Sequence, residues 1–182
     1  ADPKFVAADL MSQAEHDKLA SSILVTTSEE LADKTLAEIE RQMQYLSRKE
    51  IIASSLENYG AILICKTKDE ACALANRFAP EHLEVLFDNP MEYIGKLDNA
   101  GSIFLGKYAS EPLGDYYAGP NHVLPTSGTA RFFSPLGVNS FEKRTSFTYY
   151  TEQALREAKD DIVLIAEKEG LTAHANAIKV RF

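Results

Sequence analysis

The chain has 182 residues, 45% of them hydrophobic and 25% charged, a balance that excludes wholesale disorder and leaves ample material for a packed core. Its 19 Lys and Arg against 27 Asp and Glu give a formal net charge of −8, which argues against a nucleic-acid binder or a polybasic membrane surface. No apolar run approaches the roughly 18 residues of a membrane span, and Cys65 and Cys72 stand in no metal-ligand spacing. A disulfide framework is therefore not expected, and a reducing cytoplasm is the plain reading.

Ala1-Asp2-Pro3-Lys4 leads at once into the apolar periodicity of Phe5, Val6, Leu10 and Met11, with no opening Met and no polar leader, so the chain is expected to be a piece of a longer polypeptide. Residues 5–20 read as a helix, with apolar residues three to five apart and no internal Gly or Pro. Ser22 to Thr26 is a short β-branched run. Ser28, followed by Glu30 and Leu31, opens a helical pattern to about Leu46, on the stripe Leu31, Thr35, Ile39 and Met43. A second helical stretch covers Arg48 to Glu57 and stops at Asn58-Tyr59-Gly60. Ala61 to Cys65 reads as a strand, and Thr67-Lys68-Asp69-Glu70 as the capping box of a helix to Phe78. Leu83 to Phe87 and Ser102 to Leu105 are further strands. Alternating strand and helix predict a parallel or mostly parallel sheet with helices on its faces.

The texture changes at Gly106. From Glu111 to Gly128 the chain holds Gly114, Gly119, Pro120, Pro125 and Gly128 with almost no periodicity, and it reads as a long functional loop. Thr145 to Tyr150 reads as a strand. Residues 151–169 form a long helix with Leu155, Ala158, Ile162, Ile165 and Ala166 on one face; Gly170 ends it, and Leu171 to Val180 makes a short final helix. Neither G-x-G-x-x-G nor G-x-x-x-x-G-K-[ST] occurs.

The chain has four histidines, His16, His82, His122 and His174. Asp9, Gln13 and His16 are spaced by four and three on one helix face, which is either a solvated polar face or, since imidazole, amide and carboxylate oxygens suit divalent metals, a ligand site. Pro80 biases Ala79 toward extended geometry, and Glu81-His82 then opens a strand. A carboxylate beside an imidazole suits proton transfer near pH 7, against the plainer reading of a surface pair. Asp115 and His122 sit in the Gly- and Pro-rich loop, where close backbone approach to a ligand is possible. His174, with Glu169 shortly before it, would alone be an exposed helix histidine.

The combination is more specific than its parts. Ser12-Gln13-Ala14-Glu15-His16, Pro80-Glu81-His82-Leu83, Ala100 to Gly106, Gly114-Asp115-Tyr116 through Asn121-His122-Val123-Leu124-Pro125-Thr126, and Leu171-Thr172-Ala173-His174 occur in this order. This closely resembles histidinol dehydrogenase along essentially the whole chain, as the C-terminal part of a longer family polypeptide. The resemblance implies a zinc-dependent homodimer that oxidises L-histidinol to L-histidine through histidinaldehyde in two NAD-dependent steps, the last chemistry of histidine biosynthesis. It implies Gln13, His16, Asp115 and His174 as metal ligands and Glu81 and His82 as the proton-transfer pair. It further implies substrate contacts from the ligand residues with His82, His122 and Glu169, and places the NAD contacts upstream of residue 1. The fold expected is α/β, an incomplete Rossmann-like domain over 1–150 with a mostly parallel sheet, then a helical, dimer-forming tail over 151–182. A metal-binding or dimerisation module without turnover of its own, and a paralogue oxidising another amino alcohol, are the alternatives.

Overall fold

In the computed structural model, which describes residues 1–182, helix α1 (Pro3–Ala14) starts where Asp2 accepts the Lys4 N–H at 2.9 Å and Pro3 fills the first turn. It ends at Ala14, short of the expected residue 20. Asp17 competes with the helix there: its carboxylate accepts the Leu19 N–H at 2.8 Å and its carbonyl the Ala20 N–H at 3.0 Å.

Strand β1 (Ser22–Thr26) follows, then α2 (Glu29–Met43), α3 (Lys49–Tyr59) and β2 (Gly60–Ile64). Ser28 caps α2 by accepting the Leu31 N–H at 3.1 Å. Helix α4 (Lys68–Phe78) is capped by Thr67, which accepts the Glu70 N–H at 3.1 Å, while Glu70 reaches back to accept the Lys66 N–H at 2.8 Å. Strands β3 (His82–Val85) and β4 (Ser102–Leu105) complete the set.

The strands are parallel, as their alternation with helices predicts, and fall into two two-stranded ladders. β1 pairs with β2 in the register Ser22↔Gly60, and β3 with β4 in the register His82↔Ser102. Residues of β1, β3, α1 and α4 line a cavity of about 660 Å³. One core cluster joins Ala7, Met11 and Ala14 of α1 to Ile39 of α2 and Ile52 of α3; a second joins Cys72 and Ala75 of α4 to Val85 of β3 and Leu97. Burying these side chains away from water is the main stabilising contribution.

Two expectations are corrected. The stretch from Glu111 is not a bare loop: α5 (Glu111–Tyr116) forms there, with Pro112 in its first turn, and irregular chain resumes only after it. Residues 145–150 form no strand. Phe147 is 93% exposed and Tyr149 83%, so this aromatic run has neither a partner strand nor a face to pack on, and β-propensity alone does not make a strand.

Contacts divide the chain into two compact units, Ala1–Ser140 and Phe141–Phe182. The second consists of α6 (Glu152–Lys168), capped by Thr151, and α7 (Thr172–Lys179), with Ala166 and Ala175 buried. Between them Gly170 takes φ +77°, Gly170 N–H bonds Glu167 C=O at 3.0 Å, and Leu171 N–H bonds Ala166 C=O at 2.8 Å, the bonding pattern of a Schellman stop. No helix is long and apolar enough to cross a membrane.

Candidate active site

The Glu81-His82 pair is delivered by a strained turn. Ala79 ends α4 in the left-handed region, φ +50° and ψ +60°, rather than in the extended conformation expected before Pro80. Its N–H still bonds Ala75 C=O at 3.0 Å, and its side chain is fully buried. An alanine held there costs about 1–3 kcal/mol, tolerated because packing on all sides fixes it. Pro80 and Glu81 then run along the entry to β4, their carbonyls accepting the N–H groups of Gly101 at 2.9 Å and Ser102 at 2.8 Å. A Cβ on Gly101 would stand 2.6 Å from the Glu81 carbonyl oxygen, so this position has no room for a side chain. Gly101→Ala is accordingly expected to destabilise the fold by about 1–3 kcal/mol, seen as a lower denaturant midpoint, and to push Glu81 out of place.

His82 lies half-buried on β3, its ring tilted at 42° to Phe104 with centroids 6.0 Å apart. Its Nε2 is buried without a hydrogen-bond partner, 3.9 Å from Glu111 Oε1. Burial pulls the imidazole below its ordinary value of 6.5; Glu81 and Asp115 oppose this, and His16 adds to it. The ring is therefore neutral at pH 7, with an unengaged nitrogen.

Glu111, in the first turn of α5, is buried, shares a hydrogen bond with the Asp115 carboxyl one helical turn on, and faces Ser12 of α1. Burial first, then its bond to Asp115, raises its carboxyl to about 7. Donor atoms of His82, Glu111 and Asp115 all lie within 4.8 Å of one another. Behind them Glu84, on the same face of β3 as His82, shares a hydrogen bond with Asp9 of α1 and accepts the Glu111 backbone N–H at 2.9 Å. Burial, and then the Asp9 carboxyl, raise Glu84 to about 8.

These shifts fix a pH dependence. Native Glu84 keeps its proton up to about 8, whereas an ordinary carboxyl loses it near 4.5. Its contribution is thus complete below about 4.5 and is lost as pH rises through about 8, and Glu111 acts in the same direction. Between pH 5 and pH 8, denaturation should show the parent losing more stability, or gaining less, than Glu84→Gln, while His82, held below 6.5, acts in the opposite direction in both. A pH dependence unchanged in Glu84→Gln would contradict a proton held between Asp9 and Glu84.

The structure gathers some of the residues singled out in the sequence. Gln13, Glu81 and His82 line the 660 Å³ cavity together with Asp9, Glu84 and Glu111. Asp115 belongs to the His82 cluster, while His16, exposed just beyond α1, stands outside it but near enough to affect His82. His122 is exposed in the irregular stretch after α5. His174 on α7 and Glu169 at the end of α6 are exposed residues of the second unit. Glu84 and Glu111 escaped the sequence reading. Their signals were a carboxyl two residues past His82, on one strand face, and another one helical turn before Asp115.

A parallel α/β unit that sets a half-buried imidazole with a free, enclosed nitrogen beside carboxyls at a cavity has the architecture of an α/β enzyme domain. The sequence profile of histidinol dehydrogenase matches residues 1–182, and the chain belongs to that family. It is 63% identical over 182 residues to histidinol dehydrogenase of Caldanaerobacter subterraneus subsp. tengcongensis, covering all of this chain and 42% of that protein. The corresponding protein of Clostridium acetobutylicum is 64% identical over 181 residues, with the same coverage. The crystal structure of histidinol dehydrogenase from Elizabethkingia anophelis superposes with a TM-score of 0.77 at 40% identity, covering 100% of this chain and 42% of that one. The chain thus spans about 42% of the length of these relatives.

Proposed function

We propose that this chain forms the C-terminal part of a cytoplasmic enzyme that oxidises L-histidinol to L-histidine through histidinaldehyde with NAD and zinc. Residues 1–150 are read as an incomplete Rossmann-like domain and residues 151–182 as the dimer-forming tail. The observation that carries the reading is the free, buried Nε2 of a neutral His82.

An alcohol carbon releases hydride readily only as its oxygen loses a proton, and His82 Nε2 is the acceptor for that proton. The aldehyde must next add water, becoming a diol before a second hydride can leave; the Glu81 carboxylate beside His82 takes the proton of that water. His122 and Glu169 contribute further contacts to the substrate. NAD accepts the hydrides when bound. This chain carries no glycine-rich dinucleotide fingerprint, and residues upstream of residue 1 are expected to hold the cofactor.

The residues present fit a zinc ion. The Asp115 carboxylate, within 4.8 Å of the His82 and Glu111 donor atoms, together with an amide oxygen and imidazole nitrogens of the kind Gln13, His16 and His174 offer, makes a nitrogen and oxygen donor set of the kind zinc takes. Asp115 belongs both to this cluster and to the ligand set that the resemblance implies, Gln13, His16, Asp115 and His174. A base must keep its lone pair, so His82 is assigned to the proton and Asp115 to the metal. When bound, the ion would orient and polarise the substrate.

The test uses the full-length protein that contains this chain. It should form two NADH per histidinol consumed and lose this activity when a chelator strips the metal. Absence of histidinol-dependent NADH from the zinc-loaded protein would overturn the assignment and favour a different amino alcohol. The 182-residue chain by itself is expected to bind zinc without turnover.

A further inference from the structure

We propose that Glu84 is a positioning residue, whose carboxyl ties α1 to the first turn of α5 and thereby sets the separation of the metal ligands carried by those two helices. This inference rests on the reading of Gln13, His16 and Asp115 as ligands.

The connection is short on both sides. Glu84 shares a hydrogen bond with Asp9, and Asp9 lies one turn before Gln13 on the same face of α1, with His16 just beyond the helix. Glu84 Oε1 also accepts the backbone N–H of Glu111 at 2.9 Å, and Glu111 lies one turn before Asp115 in α5. A single side chain on β3, two residues after His82 and on the same strand face, thus fixes three elements relative to one another. Ser12 of α1 also faces the Glu111 carboxyl. α5 is only a six-residue helix, and irregular chain follows it, so it needs such ties to hold its position.

The chemistry required at position 84 is specific. One atom must accept the Glu111 N–H, and the group must also share a hydrogen with Asp9, so one of the two facing carboxyls carries a proton. A glutamine reproduces both bonds, its oxygen accepting from Glu111 and its amide N–H donating to Asp9. A leucine fills similar space and makes neither.

The test measures zinc affinity in the full-length enzyme by competition with a chromophoric chelator. Thermal melting of the metal-free forms monitors folding. Glu84→Leu should weaken zinc binding by about 10–100-fold, the usual range for outer residues that orient ligands, and Glu84→Gln should restore it to within about threefold of the parent. Asp9→Ala cuts the same tie from the other helix and should weaken zinc comparably. It supplies the reading if Glu84→Leu does not fold. Asp9→Ala/Glu84→Leu should be little worse than the weaker single variant, because both remove one connection. Parent-like zinc affinity in a folded Glu84→Leu or Asp9→Ala would overturn the clamp while leaving the site assignment intact. A Glu84→Gln as weak as Glu84→Leu would also overturn it. Failure of the parent enzyme to bind zinc would overturn the ligand assignment and the clamp together.

Discussion

In the full-length enzyme, His82→Asn is expected to lower kcat for histidinol by about 10²–10⁴-fold while leaving zinc content unchanged. Asparagine keeps a polar group near Nδ1 but has no basic nitrogen, so it removes the proton acceptor and little else. The parent should show an acid limb in its pH–rate profile, with activity falling as pH drops and the imidazole charges. Burial holds His82 below 6.5, so that limb should lie on the acid side of this value. Glu81→Gln should act differently, because only the aldehyde step requires an activated water. With histidinaldehyde as substrate, Glu81→Gln should be more impaired than in the first hydride transfer from histidinol, which a single-turnover measurement separates from the second. A His82→Asn enzyme that turned over normally, or one that lost its zinc, would sink this division: in the second case His82 would be a ligand with its lone pair engaged.

Where local chemistry decides an element, the sequence was readable. Ser28, Thr67 and Thr151 each cap a helix through an N–H three residues on, and α2, α4 and α6 begin where those residues stand. Gly170 ends α6 for an equally local reason. The misreadings arose where tertiary context overrode a local preference. Ala79 is forced into a left-handed turn by its buried surroundings, against the bias from Pro80. α5 carries Gly114, which reads locally as a helix breaker, because its backbone passes the Phe104 ring so closely that a Cβ would stand 2.6 Å away. The aromatic run 145–150 has strand-forming residues but no partner.

The candidate site divides along the same line. His82 and Asp115 could be found from motif order, but their proximity could not. It depends on β3 and α5 meeting, and on a half-buried carboxyl at Glu84 and a buried one at Glu111 that no spacing rule marks as enclosed. The altered proton affinities of those groups are products of enclosure rather than of residue type.

Mixing two inactive full-length variants, His174→Ala and Gln13→Ala/His16→Ala, is expected to restore activity. His174 stands on α7, in the unit of α6 and α7. That unit leaves Leu164 and Ile165 of α6, and Leu171 and Val180 at the two ends of α7, exposed at 54%, 60%, 42% and 68%, while its helices bury only Ala166 and Ala175. Such apolar surface is stabilised when a partner covers it, and a second subunit is the partner that the family resemblance implies. If His174 then completes the ligand set of the other subunit, each heterodimer holds one site built wholly from intact residues. Its second site collects every substitution. After complete statistical exchange about half the dimers are mixed and half their sites intact, so activity should recover to about a quarter of the parent value. Zinc stoichiometry should rise in step, because a site with four ligands binds more tightly than one lacking His174. If His174 instead served its own chain, every site in the mixture would lack at least one ligand. Mixtures in which subunit exchange is verified by mass, yet neither zinc nor activity returns, would therefore exclude the shared site.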